Sequence, residues 1–375
     1  MVVIKMKIMM VIQQNSPGGA ERVLSILANY FSNNGIKVLF VNFDDDSNFY
    51  SLDSNIKVLK LHETLLYKNK INKLFKKIFV EIRRYKKIKK ILIEEKPDFV
   101  IPFLQASEII TIPNCKKLNI PFCMSIRNEE NKYPWYVKLF RKIYYPKANF
   151  IVCQTESVSK IVKKKANNNK VYVVANPIEE KSYNNDFINK SKRKKTIINV
   201  GRLTEQKNQK LLIDAYNELK GQIYDYNIEI YGKGDLNGYL SNYIKSLNLN
   251  DKIQLKGLQN NALRDHSDYS LFVMTSNYEG FPNALLEAMA NGIPVISTDF
   301  SSGGARELIK NNQFGSLINV DDKEGLKKAI LKTLNNFDDS LEKAKKALYV
   351  RDEYSQRKIC DTWLYLIKES VYGKK

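Results

Sequence analysis

Short apolar runs alternating with amphipathic stretches recur along the whole chain in two successive series, and this constrains the fold more than any other feature. In the first series the apolar runs fall at 7–12, 37–43, 56–61, 98–103, 120–126, 149–153 and 171–174, with helical patterns at 19–34, 68–95, 134–145 and 156–166. In the second, strands read at 196–200, 227–231, 252–256, 271–275, 294–298 and 316–320, with helices at 207–220, 236–247, 283–291, 304–310 and 322–335. Alternation of this kind selects a parallel sheet wound on both faces. At 375 residues the length suggests two or three domains at about 150 residues each, and the two series supply two. Residues 181–195 are polar and lysine-rich with few apolar anchors, the composition of a linker. The expected organisation is an α/β protein with one domain over 1–180, a linker over 181–195, a second domain over 196–350 and a final helical piece over 351–375, overlapping a stretch 340–370 that reads as helix.

The segment 276–299 carries the most chemistry. Two carboxylates, Glu279 and Glu287, flank a turn that opens a short helix. Pro282 suits the first helical position, where its missing N–H costs nothing, and Gly292 suits the C-terminal stop. The run Pro294–Thr298 then reads as a buried strand. Free N–H groups at the start of such a helix make an anion site, for which phosphate is the usual occupant. Carboxylates beside a phosphate site need neutral polar partners, and sugar hydroxyls are such partners. The segment therefore proposes a nucleotide-sugar site.

Other loops support that reading. Gly201–Asn208 follows the first strand of the second series and enters a helix, and its Arg202 and Lys207 suit a diphosphate: Arg forks two oxygens, Lys acts as a point charge. Gly232 and Gly234 end another strand and read equally as a plain turn with Asp235 near the cap. Lys256–Gly257 ends the next. Pro17-Gly18-Gly19-Ala20-Glu21-Arg22 follows the first strand of the chain and opens a helix, where glycine permits close approach of a ligand.

Glu279 and Glu287, with Gly-Phe-Pro-Asn between them and Ala-Met-Ala-Asn-Gly-Ile-Pro-Val after them, closely resemble the E-x7-E signature of glycosyltransferase family 4. The resemblance covers nearly the whole chain. It implies a GT-B fold of two facing Rossmann-like domains, the C-terminal helix crossing back to the first. It also implies a retaining transfer from a nucleotide sugar, UDP-linked by preference, in a cleft between the domains. Glu279 would contact the donor sugar and Glu287 the ribose, while the backbone of Gly280, Phe281, Pro282, Asn283, Ala284 and Leu285 would meet the diphosphate. Arg202 and Lys207 match the family's G-R-L-x-x-x-K-N segment and would neutralise the diphosphate as it leaves. Gly232 would lie near the nucleotide and Gly257 near the base. Gly18 and Gly19 match the Gly-Gly-Ala-Glu-Arg of polysaccharide-assembling members and would face the donor phosphate across the cleft. Many relatives place a His near Ser125–Glu130. Arg127 occupies that place here and is carried over as a catalytic-site residue: a guanidinium could hydrogen-bond a sugar hydroxyl or an acceptor phosphate but cannot serve as a base. The chain's two histidines, His62 and His266, match no family position and read as surface or boundary residues.

Charge addresses partners. Lys and Arg total 61 against 40 Asp and Glu, a formal net charge of +21, which attracts polyanions. The abundance of Lys, Asn, Ile and Tyr fits an AT-rich genome and accounts for part of this excess. Residues 68–95 combine Ile71, Leu74, Phe75, Ile78, Ile82, Tyr85 and Ile88 at near-helical spacing with lysines and arginines on the other faces, the pattern of a membrane-surface helix or of a packed helix with a solvated basic face. Together with this helix, the resemblance of Gly18–Arg22 to polysaccharide-assembling members implies as acceptor a glycan on a polyprenyl diphosphate at an anionic membrane; no nucleic acid is expected, since aromatics do not interleave with the basic clusters. Asp44-Asp45-Asp46 contains D-x-D, a metal-binding hallmark of a different glycosyltransferase fold, but lies far from the donor signature. No metal or other cofactor is expected. Cys115, Cys123, Cys153 and Cys360 lack metal-like spacing and suit a reduced interior. No secretory signal or membrane-spanning run is evident, so a cytoplasmic, membrane-peripheral enzyme is expected. Two rivals remain open from sequence: a sugar-nucleotide epimerase of the same architecture, and a basic nucleic-acid-binding protein.

Overall fold

A computed structural model describes residues 6–14, 18–43, 49–61, 73–127, 133–373, with only the backbone described at 73–77. The chain divides into two compact units, 1–177 with 357–375, and 178–356. In the first, the strands are β1 (Lys7–Ile12), β2 (Lys37–Asn42), β3 (Lys57–Lys60), β4 (Phe99–Pro102), β5 (Cys123–Ile126), β6 (Phe150–Cys153) and β7 (Val171–Val173). They form a four-stranded sheet in the order β3-β2-β1-β4 and a three-stranded sheet β5-β6-β7. A single parallel bridge, Val100 to Phe122, joins the two. β1, β4, β5 and β6 are buried along nearly their whole length, as parallel strands covered on both faces must be.

The second unit holds β8 (Lys194–Val200), β9 (Asn227–Tyr231), β10 (Ile253–Gly257), β11 (Tyr269–Met274), β12 (Val295–Thr298) and β13 (Ser316–Ile318). Their order is β10-β9-β8-β11-β12-β13, all parallel. This is the doubly wound order of a dinucleotide-binding sheet, and it reverses between β8 and β11. Helices Gln209–Leu219, Asn237–Ser246 and Lys323–Asn335 enclose a core built on Leu212, Tyr216, Ile228, Ile230, Leu271 and Ile330. The α/β class with two Rossmann-like domains is the one expected.

Three departures from the expected pattern have physical reasons. Leu104–Lys117 is a helix that the sequence conceals: buried residues, Ser107, Glu108, Ile110, Thr111, Ile112, Asn114 and Cys115, fall on most of its sides, and Pro113 sits inside it. Such a helix has no amphipathic period to read. The stretch 340–370 is not one helix but Phe337–Lys346, Val350–Glu353 and Gln356–Tyr372. The break falls where Ile178 pairs across it, its N–H donating to Tyr354 O at 2.8 Å and its carbonyl accepting from Gln356 N at 3.0 Å. Residues 181–195, expected as a linker, are folded onto the second unit by polar rather than apolar anchors. Arg193 is buried and donates to the carbonyls of Ile188, Ser267, Tyr269 and Gly292. Burial pulls its guanidinium down to about 10, with Asp268 opposing.

In the first unit Trp363, on the last helix, is fully buried with its ring 6.2 Å from those of Phe103 and Phe150. Among the described residues no helix is long and apolar enough to cross a membrane.

Candidate functional site

In an open α/β sheet, ligands sit beyond the C-terminal strand ends where the strand order reverses. In the second unit those ends belong to β8 and β11, and they lead into the two richest motifs, 201–208 and 275–292. The loops are laced together. Asn277 N donates to Gln206 O at 2.8 Å, Asn277 Nδ2 to Glu205 O at 2.9 Å and Thr275 Oγ1 to Lys207 O at 3.0 Å. Lys207 Nζ donates to Glu279 Oε1, forming an ion pair. The same oxygen accepts from Ser276 Oγ at 2.7 Å, and Gln206 Nε2 reaches Oε2 at 3.3 Å. Glu279 is only 8% exposed, so donors on both oxygens fix its carboxylate in one orientation. Sequence reasoning missed Ser276 and Gln206, which stand inside the motifs but carry no charge.

Gly280, Phe281 and Pro282 then lead into the helix Asn283–Ala290, which holds Ala284, Leu285 and Glu287. Pro282 is the N-cap, one residue outside the position expected, because Asn283 N bonds to Phe281 O before helical bonding begins. The stop is as expected. Gly292 has φ +62, its N–H donates to Met289 O, and Ile293 N donates to Ala288 O, a Schellman closure that favours glycine. Ser302 Oγ braces the entry turn at Gly280 O, 2.8 Å away. The eight-residue helix thus begins just beyond the Lys207–Glu279 pair, and the N-terminal end of its dipole adds to the positive field there.

The loops after β8 and β9 interlock just as tightly. Gly201 N donates to Tyr231 O at 2.9 Å and Leu203 N to Lys233 O at 3.1 Å. Gly232 has φ +149, and a β-carbon there would lie 1.9 Å from Gly201 O. Gly232 N in turn donates to Gly257 O at 2.7 Å. Arg202 is exposed on this frame, and no hydrogen bond or ion pair among the described residues engages its guanidinium. The structure therefore brings Arg202, Lys207, Gly232, Gly257, Glu279 and the turn Gly280–Leu285 into one unit, with Glu287 on the helix that follows. Such a group can hold a dianion against cations and backbone amides while presenting a fixed carboxylate to hydroxyls.

The remaining candidates belong to the first unit. Gly18 caps the helix Gly19–Asn33 with extended backbone (φ −163), and its carbonyl accepts from Tyr50 at 3.1 Å. Arg127, just after β5, is 5% exposed. Its Nε donates to Ser125 Oγ and its Nη1 to Asn176 Oδ1, both at 2.7 Å. Its guanidinium lies 4.3 Å from the Phe103 ring centre and 5.7 Å from that of Trp363. Burial draws it down to about 9. Arg127 thus ties the ends of β5 and β7 to the last helix, a structural bond that its sequence position did not reveal. His266 is half-buried in the second unit, its ring stacked 4.7 Å from Tyr269 and 5.3 Å from Tyr231. His62 and Asp44-Asp45-Asp46 lie outside the described residues. Among the described residues no three His, Cys, Asp or Glu side chains cluster so as to hold a metal ion.

Two family models divide the chain between them. Glycosyltransferase Family 4 matches residues 17–181, and Glycosyl transferases group 1 matches 181–349. The chain belongs to glycosyltransferase family 4. It is an enzyme of the glycosyltransferase class. A Campylobacter jejuni protein named GalNAc-alpha-(1->4)-GalNAc-alpha-(1->3)-diNAcBac-PP-undecaprenol alpha-1,4-N-acetyl-D-galactosaminyltransferase is 28% identical over 97% of this chain and 99% of its own. An uncharacterized glycosyltransferase of Methanocaldococcus jannaschii is 33% identical over 62% of each chain. In fold, the chain matches the crystal structure of Anabaena HepE in complex with UDP and glucose, with a TM-score of 0.78 and 16% identity over 97% of this chain and 100% of that one. The Thermosynechococcus elongatus sucrose-phosphate synthase matches with a TM-score of 0.83 and 15% identity over 97% and 99%. Family membership and the GT-B fold follow from these likenesses.

Proposed function

We propose that this glycosyltransferase transfers a hexose or N-acetylhexosamine, with retention of anomeric configuration, from a UDP-sugar to a growing lipid-linked surface glycan at the cytoplasmic face of the membrane. The observation that carries the proposal is the Lys207–Glu279 pair, built from the two strand ends that border the order reversal of the second sheet. The presence of UDP and glucose in the HepE structure supports the choice of donor. The undecaprenyl-diphosphate acceptor named in the Campylobacter relative supports the choice of acceptor. The basic helix Lys73–Glu95 supports a location against anionic lipid.

In this reading Arg202 and Lys207 clasp the diphosphate together with the amides of the Gly280–Leu285 turn. Glu279 receives hydroxyls of the sugar, and Glu287 those of the ribose. Lys207 then bridges Glu279 and phosphate, so that sugar and leaving group are held by one cation. When the acceptor hydroxyl attacks the anomeric carbon, the bond from that carbon to the diphosphate oxygen breaks. The departing oxygen takes the acceptor's proton, and the cations stabilise the charge that develops. Their charge does the work a divalent metal would otherwise do, so transfer is metal-independent. In the first unit Arg127 acts by holding the strand ends rather than as a base.

Transfer assayed with UDP-, GDP- and ADP-sugars, with and without EDTA, tests the proposal. Arg202→Ala and Glu279→Gln each lower turnover by about 10²-fold or more, the scale of losing one preorganised electrostatic contact, while the melting temperature stays near wild type. Wild-type turnover in either variant refutes the site.

A further inference from the structure

A helix that packs on one surface needs one apolar stripe. The helix Trp135–Tyr144 has two. Its inward stripe is Val137 and Arg141, both fully buried, with Phe140 and Tyr144 packed beside them on the core. Arg141 Nη2 donates to Glu108 Oε2 at 3.0 Å, which pins the helix to Leu104–Lys117. Its outward stripe is Trp135, Leu139 and Ile143, spaced i, i+4 and i+8, with Tyr136 alongside. Trp135 is 75% exposed, and the other three stand about half in solvent. Lys138 and Lys142 alternate with them, both exposed. No protein element among the described residues covers this second face.

The neighbouring helix Lys73–Glu95 shows the same excess. Its second half packs normally, with Arg84, Ile88 and Leu92 buried. Towards its start the apolar stripe continues through Ile78, Phe79 and Ile82, but these are exposed, Phe79 by 61%. The two helices flank Leu104–Lys117: Asn114 Nδ2 donates to Tyr85 O at 3.1 Å on one side, and Glu108 holds Arg141 on the other. Tyr85 of the one and Tyr144 of the other also pack on the same core cluster. Their exposed apolar residues therefore belong to one side of the first unit, rimmed by Lys86, Lys90, Lys138, Lys142 and Lys147. Glu81 and Glu94, the acidic residues on these exposed turns, are paired with Arg84 and Lys90.

We infer that this two-helix face is the surface on which the first unit docks against an anionic lipid bilayer, with Trp135, Tyr136 and Leu139 entering the interface and the lysines meeting the headgroups. Amphipathic aromatics with basic neighbours suit that boundary, where one side of each ring is apolar and the other wet. A protein partner would have to neutralise the cationic rim with acids of its own, whereas an anionic leaflet supplies that charge everywhere. The inference deepens the proposed function, which sets the acceptor in a membrane.

The test is co-sedimentation of the full chain with phosphatidylcholine vesicles, with and without phosphatidylglycerol, across a salt series. Wild type binds the anionic vesicles, and salt weakens the binding. The double variant Trp135→Ala, Leu139→Glu lowers partitioning by about ten-fold or more, while Tyr224→Ser, which removes an exposed aromatic from the second unit, leaves it within about two-fold. All three positions are exposed, so circular dichroism melts stay unchanged. Wild type that ignores anionic vesicles, or a double variant that binds them normally, overturns the inference. So does a wild-type dimer in sedimentation velocity that the double variant abolishes, because a second copy would then cover the face. Transfer to a water-soluble acceptor glycoside separates this inference from the proposed function. Patch-dependent vesicle binding without any transfer leaves the docking surface standing and the proposed function refuted; transfer without vesicle binding does the reverse.

Discussion

Gly232→Ala puts the frame of the donor site to a quantitative test. The added β-carbon would stand 1.9 Å from the carbonyl oxygen of Gly201 and 2.8 Å from its carbonyl carbon, both backbone atoms, so no flexible side chain can yield. The native φ of +149 is itself unfavourable for alanine, by about 1–3 kcal/mol. Relieving the overlap requires the strand-end loops to part by about 1 Å, and the total falls on the order of 3–5 kcal/mol, the range of severe single substitutions. For a unit of this size that lowers the melting temperature by roughly 10 °C. The loop that moves carries Arg202 and Lys207, and a misplacement of about 1 Å at a reacting centre costs about 10²-fold in rate. Gly238→Ala is the matched control: nothing lies within 4 Å of its β-carbon, and the site is an exposed helical position. It stabilises by about 0.5–1 kcal/mol. Differential scanning fluorimetry with titration of a UDP-sugar measures both effects. If Gly232→Ala melts and binds like wild type, the interlocked loops do not form the frame described.

Arg193→Ala strips the donor from four carbonyls and destabilises the second unit by about 3–5 kcal/mol, with Arg193→Lys intermediate because one ammonium cannot reproduce the fork; urea unfolding reads both. Glu95 accepts from Lys57 at 2.5 Å and from Lys7 at 3.2 Å, and these hold its carboxyl below the usual range against an opposing desolvation effect. Its folded value is depressed, so its contribution is complete above the unfolded value near 4.5 and is lost as pH falls through the folded value. The stability gap between wild type and Glu95→Gln should therefore close on acidification below that point. A gap that persists unchanged at low pH contradicts the pairing.

Much of this architecture was legible because it is written in periodicity. β1 was bounded at 7–12, as found, since a buried parallel strand is a near-continuous apolar run between turn residues. Leu104–Lys117 was illegible for the opposite reason: burial on most sides erases the period. The stretch 340–370 failed because its break is made by a tertiary contact, the backbone of Ile178, which no local signal announces. At the site, charge and glycine marked Lys207, Glu279 and Gly232. The neutral residues that fix Glu279 were hidden for two reasons: Ser276, three residues away, carries no charge to mark it, and Gln206, 73 residues away, leaves no spacing to read. Arg127 shows the converse: its position drew attention, while its burial is completed by Trp363, on a helix more than two hundred residues later.

The most direct measurement is a crystal of the full chain soaked with a UDP-sugar. The account predicts the diphosphate between Arg202, Lys207 and the first amides of Asn283–Ala290, with a sugar hydroxyl on Glu279. Density for the nucleotide elsewhere, with the Lys207–Glu279 pair untouched, would contradict it.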